Sequence, residues 1–470
     1  MPSNKDILEA ERFNRRRLVT AFSSGTPGGK ELEAPNSLRP ILIGGVIAAL
    51  ILIVAAVMAR FSPTLPQGWE NSTMIVVKST GARYYTIDGS LRPVTNVTSA
   101  RLLSEPGSYK TSSVSASTIE GLPRRSQVGI TGIPDDVPSS SDLGSDKWLS
   151  CALPSGTHTW VAGTLERTAI AGSTLVTNEG RQYLISGGTR YLLDTTGTLG
   201  PARALGLDQV APVQVEAAWL DLFVKGSDLA PLSIEDAGLP AENMPERLAS
   251  ARIGTIIEVR NDADDGSPSR SYIVTGNGRI AALSSVARQM YELSDAYRSA
   301  GNPLTASLAD IQDLGGTESF GPSDWPPTID LEKVVDTESV PCANLVLTES
   351  GASTELLSMN ALEATKAALG TSGTGTGSDA TTMTKPSGTV TVRGGSGALV
   401  RASSGGTLGS VIFISDMGKA HSLGENPADS IARLSWTADD LVTIPSAWAR
   451  LVEPGEDMTA EAVWNTVSVQ

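Results

Sequence analysis

Two histidines and two cysteines in 470 residues leave little from which to build a catalytic or metal-binding centre. His158 and His421 stand 263 residues apart in different modules, so neither a zinc site nor a Ser-His-Asp triad is supplied. Both read as structural histidines. Aromatic residues make up only 5% of the chain, beside 47 Gly and 27 Pro, a balance that suggests short strands and many turns. Basic residues are outnumbered, 36 against 51 acidic, for a net charge of −15. With the first 40 residues set aside, 29 basic face 46 acidic residues, and −17 argues against nucleic acid or anionic lipid as a partner.

Phosphate-binding motifs are missing too. Gly25 to Lys30 (GTPGGK) has three residues between its glycines and Glu31 after the lysine, where a Walker A loop needs four and then Ser or Thr. Gly276-x-Gly278-x-x-Ala281 mimics a dinucleotide fingerprint, with Asp295 near the expected distance. Equivalent positions elsewhere in the chain are hairpin turns, and Asp295 falls inside a helical stretch, which rejects that reading. Asp262, Asp264 and Asp265 form an acidic loop without the terminal Glu of a calcium-binding hand, so it reads as a solvated insertion. No spacing singles out a pair of carboxylates for glycan hydrolysis.

What the chain does have is one long apolar run. Ile41 to Ala59 is nineteen residues without a charge, an amide or a proline. At about 1.5 Å per residue it covers roughly 28 Å, the depth of a bilayer core, and is expected to span a membrane as a helix. Residues 1 to 40 hold seven Lys or Arg, including Arg15, Arg16 and Arg17, whereas after Arg60 the next basic residue is Lys78. The positive-inside rule then makes the N-terminus cytoplasmic and the bulk extracytoplasmic. A cleaved signal peptide is the rival, with Val57-Met58-Ala59 as its site, but the leader is long and the apolar run exceeds the usual core. Ser3 to Phe22 is expected to be a basic helix with a Ser3-x-x-Asp6 cap. It stands equally as a docking helix, for a cytoplasmic partner or the inner leaflet, and as an ordinary positive flank. Residues 23 to 40 read as a flexible connector.

Beyond the span a pattern recurs. Met74 to Val77, Tyr84 to Ile87 and Leu91 to Val94, with Asp88-Gly89 between the last two, predict a hairpin. The unit returns at Leu175 to Leu192 and at Ile256 to Ile280, and more weakly at Val411 to Gly418. A short helix is expected after each, at Ala100 to Leu103, Ala202 to Leu205, Ser284 to Leu293 and Ala428 to Leu434. Copies this far apart form no tight solenoid; they read as small β-α modules around a centre. Gly121 to Ile133 and Thr389 to Arg401 alternate like strands and are assigned to that centre, each beside a cysteine. Cys151 and Cys342 both lie in the exported part, where thiols oxidise, so one disulfide is expected. Gly370 to Gly377 (GTSGTGTG) is a flexible linker by composition.

These residues carry a resemblance. Arg12-Phe13 with Arg16-Arg17-Leu18 and Ala21, then Gly81-Ala82-Arg83-Tyr84, and Leu91-x-Pro93-Val94-x-Asn96-x-x-Ser99-Ala100-Arg101-Leu102-Leu103 resemble the EccB family of type VII (ESX) secretion systems of actinobacteria. So do Val128-Gly129-Ile130-x-Gly132-x-Pro134-Asp135, Trp148-x-x-Cys151 and Gly397-Ala398-Leu399-Val400-Arg401. The sequence departs at Ile133, at Arg125 and in the degenerate fourth repeat.

The resemblance implies an α+β, single-pass membrane protein, in the plasma (inner) membrane. Its elongated, β-rich extracytoplasmic region would be made of a central domain and four small β-α repeats. It divides the chain into a cytoplasmic basic helix and connector (1–40), a transmembrane helix (41–60), a linker with repeat 1 (61–122) and a first part of the central domain (123–172). Repeat 2 (173–250), repeat 3 (251–335), a second central part (336–408), repeat 4 (409–452) and a C-terminal tail (453–470) follow. The function implied is a structural core subunit of the ESX membrane complex, with Arg15, Arg16 and Arg17 binding a partner. Those partners would be EccC, EccD and EccE, the mycosin protease and further copies of itself, with no nucleic acid. EccC, a hexameric motor ATPase, supplies the energy there. Alternatives are a membrane-anchored peptidoglycan-binding module, since the repeats resemble a phage lysin's wall-binding subunit, or an ATPase, as the family is sometimes labelled. No catalytic residue, metal or cofactor is expected.

Overall fold

The computed structural model describes residues 3–24, 38–60, 65–163, 165, 168–169, 172–193, 200–259, 270–276, 278–330, 338–349, 351–369 and 390–465. Gly25 to Lys30, Asp262 to Asp265, Gly370 to Gly377 and Thr389 lie outside these residues. The chain forms two compact units, Met1–Leu65 and Pro66–Gln470.

The first unit contains two helices. Asn4–Ser24 begins at the expected cap: Ser3 N donates to Asp6 Oδ2 at 3.1 Å and Lys5 N to Ser3 Oγ at 3.3 Å, which satisfies two amides the helix leaves open. Leu38–Arg60 extends the apolar run at both ends, with Pro40 in the first turn, where its missing N–H costs nothing. The stretch Pro40–Val57 has a mean hydropathy of 2.8 and none of it is buried, so this helix is long and apolar enough to cross a membrane.

The second unit repeats one topology four times. In repeat 2, strands Ser173–Asn178, Arg181–Ser186 and Thr189–Leu192 form an antiparallel meander, and helix Gly200–Ala204 follows. The chain then returns as Val213–Gln214, parallel to the first strand, turns through the short helix Ala217–Leu220, and ends as Val224–Lys225, parallel to the third. Repeat 3 repeats this with meander strands Ile256–Val259, Arg270–Gly276 and Arg279–Leu283 and returning strands Leu304–Ala306 and Gly315–Ser319. Repeat 4 uses Ala398–Ser404, Thr407–Ile414 and Lys419–Ser422, then Val442–Pro445 and Glu453–Pro454. Repeat 1 uses Thr73–Val77, Arg83–Ile87 and Ser90–Pro93, then Lys110–Val114. Parallel pairing needs a crossover, and the short helices supply it. Asp88 and Gly89 take φ of 49° and 66°, the left-handed pair that a two-residue hairpin turn requires.

Two expectations are corrected here. Residues 121–133 do not join the central sheet; they run beside the third strand of repeat 1, touching it at Leu91↔Arg124 and Val94↔Val128, in the place of the missing fifth strand. Ala398–Ser404, assigned to the centre, is the first strand of repeat 4, since it pairs with Thr407–Ile414 and Val442–Pro445. In both stretches alternation identified extended chain, but it carries no information about which sheet the chain joins.

The central sheet has six strands in the order Val390–Val392, Gly156–Val161, Trp148–Leu153, Ser339–Thr348, Gly351–Asn360 and Thr168–Ala169. Two hairpins from distant parts of the chain meet where Cys342 lies opposite Cys151. One face carries Leu149, Cys151, Cys342 and Leu357 and is covered by helix Ala361–Ala368 through Ala364 and Ala368. The other face carries Trp148, Ala343, Leu345 and Leu356 and shares one core with repeats 2 and 4. Repeat 1 packs on repeat 4 around Tyr85, Ile130 and Phe413, and repeat 3 on repeat 2 around Leu184, Ile273 and Met290.

Candidate functional site

The densest meeting of modules is around two tryptophans. Val215 and Ile444 each precede a short helical turn, and four residues further on stand Trp219 and Trp448, both 0% exposed. Trp219 Nε1 donates to the Ser150 carbonyl of the central sheet at 2.9 Å. Trp448 Nε1 donates to Thr354 Oγ1 at 3.1 Å, and that hydroxyl donates to the Leu222 carbonyl of repeat 2 at 2.7 Å. One central threonine therefore ties repeats 2 and 4 together. Trp448 also meets Trp148 edge-on, with ring centroids 6.2 Å apart. The hairpin tip of repeat 2 closes the joint: a Cβ on Gly188 (φ +85°) would stand 2.3 Å from the Thr354 carbonyl oxygen, so only glycine fits. Counted the same way from Val114 and Ala306, repeats 1 and 3 carry Thr118 and Asp310. The large, apolar ring with one donor is present in the two repeats that dock on the centre and absent from the two that do not.

Cys151 and Cys342 are joined by a disulfide, 191 residues apart in sequence, with both side chains 0% exposed. Met359 Sδ lies 3.8 Å from Cys151 Sγ under the same helix. The two histidines also serve packing. His158 Nε2 bonds Thr391 Oγ1 at 2.9 Å and its ring lies 4.6 Å from that of Trp160, which holds the edge strand Val390–Val392. Burial lowers its pKa to about 4, because the charged ring would lose its hydration. His421 Nδ1 lies 2.8 Å from the Glu456 carbonyl and Nε2 lies 3.0 Å from Ser415 Oγ. The carbonyl only accepts, so Nδ1 carries the proton and the serine hydroxyl donates to Nε2. Burial lowers the pKa of His421 as well. This serine-histidine contact is 0% exposed at both residues, out of reach of any substrate. Among the described residues no group of three His, Cys, Asp or Glu could hold a metal ion. The glycine-rich dinucleotide mimic is the turn of the hairpin Arg270–Gly276 and Arg279–Leu283, and Asp295 opens helix Asp295–Ala300.

A cavity of about 780 Å³ lies between the turn Leu153–Gly156 of the central sheet and residues Gln209–Glu216 of repeat 2. Among the described residues, Glu216 is the one ionisable side chain in its wall, and neither Lys nor Arg is there to cradle a phosphate. Arg15, Arg16 and Arg17 do not form one face. They are consecutive in helix Asn4–Ser24 and point about 100° apart. Arg12 and Arg16 share a side at (i, i+4), while Arg15 lies in the stripe of the exposed Leu8, Leu18, Val19 and Phe22.

Taken together, these features define a multi-module β-α protein with one membrane-compatible helix, in which two of the four repeats dock on a disulfide-bridged central sheet and the other two pack on those repeats. The chain belongs to the EccB family, whose model, described as type VII secretion system ESX-1, transport TM domain B, matches residues 1–467. The protein called ESX-2 secretion system ATPase EccB2 of Mycobacterium tuberculosis is 27% identical over 314 residues, 63% of this chain. The match spans 60% of that relative's own length. A chain of an intact ESX-5 inner membrane complex superposes with a TM-score of 0.62 at 21% identity, over 98% of this chain and 95% of that one. The EccB3 dimer from the ESX-3 core complex gives a TM-score of 0.65 at 21% identity, over 83% and 99%. These structures share the fold described above.

Proposed function

We propose that the chain is a structural core subunit of a type VII secretion membrane complex. The observation that carries this is the family match over residues 1–467, which takes in the basic helix, the apolar helix and all four repeats together. Helix Leu38–Arg60 anchors the chain in the inner membrane, and the excess of basic residues before it keeps the N-terminus cytoplasmic. EccC, EccD and EccE are the partners in the membrane; mycosin and further copies of this chain meet the exported repeats. The helix Asn4–Ser24 serves cytoplasmic docking. Energy comes from a separate motor subunit, a reading supported by the cavity beside repeat 2, where no Lys or Arg is found among the described residues of its wall. Affinity purification of the full chain in mild detergent, followed by native mass spectrometry, tests the proposal. A stoichiometric multi-subunit assembly is expected; recovery of the chain alone, in cells whose secretion survives its deletion, refutes it.

A further inference from the structure

The exported charge is not spread evenly. Residues 66–128 hold seven Lys or Arg and four Asp or Glu, whereas residues 129–470 hold 21 against 42. The first repeat after the apolar helix is the basic one. Three of its arginines meet on a single edge. Arg125 N donates to the Leu91 carbonyl and Leu91 N to the Pro123 carbonyl, each at 2.8 Å, which sets Arg124 and Arg125 beside Leu91 and Arg92 in parallel register. Arg92 Nη1 reaches Ser126 Oγ at 3.2 Å, and its Nε is buried without a hydrogen-bond partner. Among the described residues, no ion pair includes Arg92, Arg124 or Arg125, although Arg83 and Arg101 of the same repeat pair with Asp135 and Asp136. Like charges on neighbouring extended segments repel each other unless an anion sits among them.

One aromatic ring lies beside a cation on each face of this edge, Tyr84 on one and Trp464 on the other. The Arg124 guanidinium lies 5.5 Å from the Tyr84 ring centroid, and that of Arg92 lies 5.2 Å from Trp464, which is 49% exposed. Tyrosine and tryptophan beside arginine is the composition that settles at the headgroup level of a bilayer. Residues 61–72 separate the apolar helix from strand Thr73–Val77 in sequence, a length that reaches at most about 42 Å.

We infer that the edge of repeat 1 formed by Arg92, Arg124, Arg125, Tyr84 and Trp464 binds anionic phospholipid headgroups. The inference rests on the anchored reading of helix Leu38–Arg60. The acidic remainder of the exported region is repelled by the same surface. A second copy's acidic surface is the competing occupant, but it leaves the half-exposed Trp464 ring without an apolar counterpart.

The test uses the full chain with Gln127→Cys, an exposed position beside the patch, carrying a nitroxide; the two native cysteines are joined and do not react. It is reconstituted in nanodiscs, one copy each, that contain gadolinium-chelating headgroups. The lipid is either all phosphatidylcholine or roughly one-third phosphatidylglycerol. Enhanced nitroxide relaxation is expected only with phosphatidylglycerol. Arg124→Glu with Arg125→Glu should abolish it, lowering the bound-to-free ratio by roughly 30-fold or more, the worth of two interfacial arginines. Trp464→Ala should weaken it with the arginines in place. Equal melting temperatures of the variants show that the fold is kept. Relaxation that ignores lipid charge in an incorporated chain overturns the inference. So does coupling between nitroxides that appears only when discs hold two copies, which assigns the patch to self-association. Failure to enter discs at all refutes the anchor itself, and the inference with it.

Discussion

Acid should loosen this protein well before its carboxylates protonate, because its only two histidines are buried and neutral. His158 is 3% exposed and His421 0%. His158 has a pKa of about 4 in the fold, against 6.5 for the free side chain. Between those two values the unfolded chain takes up a proton that the folded chain refuses. Stability from this residue is complete above pH 6.5, falls as pH drops toward 4, and is constant below. At about 1.4 kcal/mol per pH unit the loss is about 3 kcal/mol for His158, and His421 adds to it in the same direction. Asp310, Asp324, Asp440 and Glu453, whose pKa values are lowered, withdraw their contributions only when pH falls further, below the ordinary carboxylate range. Urea unfolding of the full chain at a series of pH values between 7.5 and 4.5 measures the effect. Replacing His158 with Gln should remove most of the slope, at a lower absolute stability. Two imidazole resonances make NMR titration direct: that of His158 should stay near its neutral position between pH 7 and pH 5, and that of His421 should titrate below the range of a free imidazole. A folded-state pKa near 6.5 for either ring would refute the reasoning.

Trp219→Ala and Trp448→Ala should each cost about 3–5 kcal/mol and raise hydrogen exchange at the joint between their repeat and the central sheet, while the strands within each repeat stay protected. Reducing the disulfide, or replacing Cys151 and Cys342 with Ala, should lower stability by up to about 5 kcal/mol in the chain-entropy account, read from unfolding with and without reductant. Free thiols in protein taken from the native envelope would contradict the pairing. Glu at Arg12 and Arg16, which share a helix side, should weaken copurification of cytoplasmic partners more than Glu at Arg17 alone; equal effects would mean that overall charge, not a face, governs docking.

The apolar helix, the three meanders and the helices after them were legible because each has a period the eye can follow, such as Tyr84 to Ile87 ending at Asp88-Gly89. The returning strands were not. Val213–Gln214 and Val224–Lys225 have two residues each, too few to show alternation, and exist because the parallel neighbour is already in place. The boundary of repeat 4 slipped for a related reason: the strand Ala398–Ser404 begins with the buried, apolar Ala398, Leu399 and Val400, like a central strand, and pairing alone assigns it. The docking rule was available in principle. Trp219 and Trp448 occupy one place in two repeats where the others have Thr118 and Asp310, but that place becomes visible only once the short strands set the register. Three arginines in a row looked like a surface, and helical geometry spreads them around the axis.

The central sheet is sewn from hairpins that leave the synthesis machinery far apart. Trp148–Leu153 and Gly156–Val161 emerge first, and their neighbour Ser339–Thr348 follows only after repeats 2 and 3 have been made. Each of those repeats can close its own meander at once, from contacts a few residues away. The centre must wait, with Cys151 a lone thiol until Cys342 arrives 191 positions later. Because the chain contains only these two cysteines, one internal pairing exists, and a new molecule has no wrong intramolecular bridge to undo. Its hazard during that interval is another molecule in the same state: two half-made chains, side by side, can each offer the other the sulfur it lacks. Maturation of this protein should therefore depend on spacing between nascent copies rather than on an isomerase.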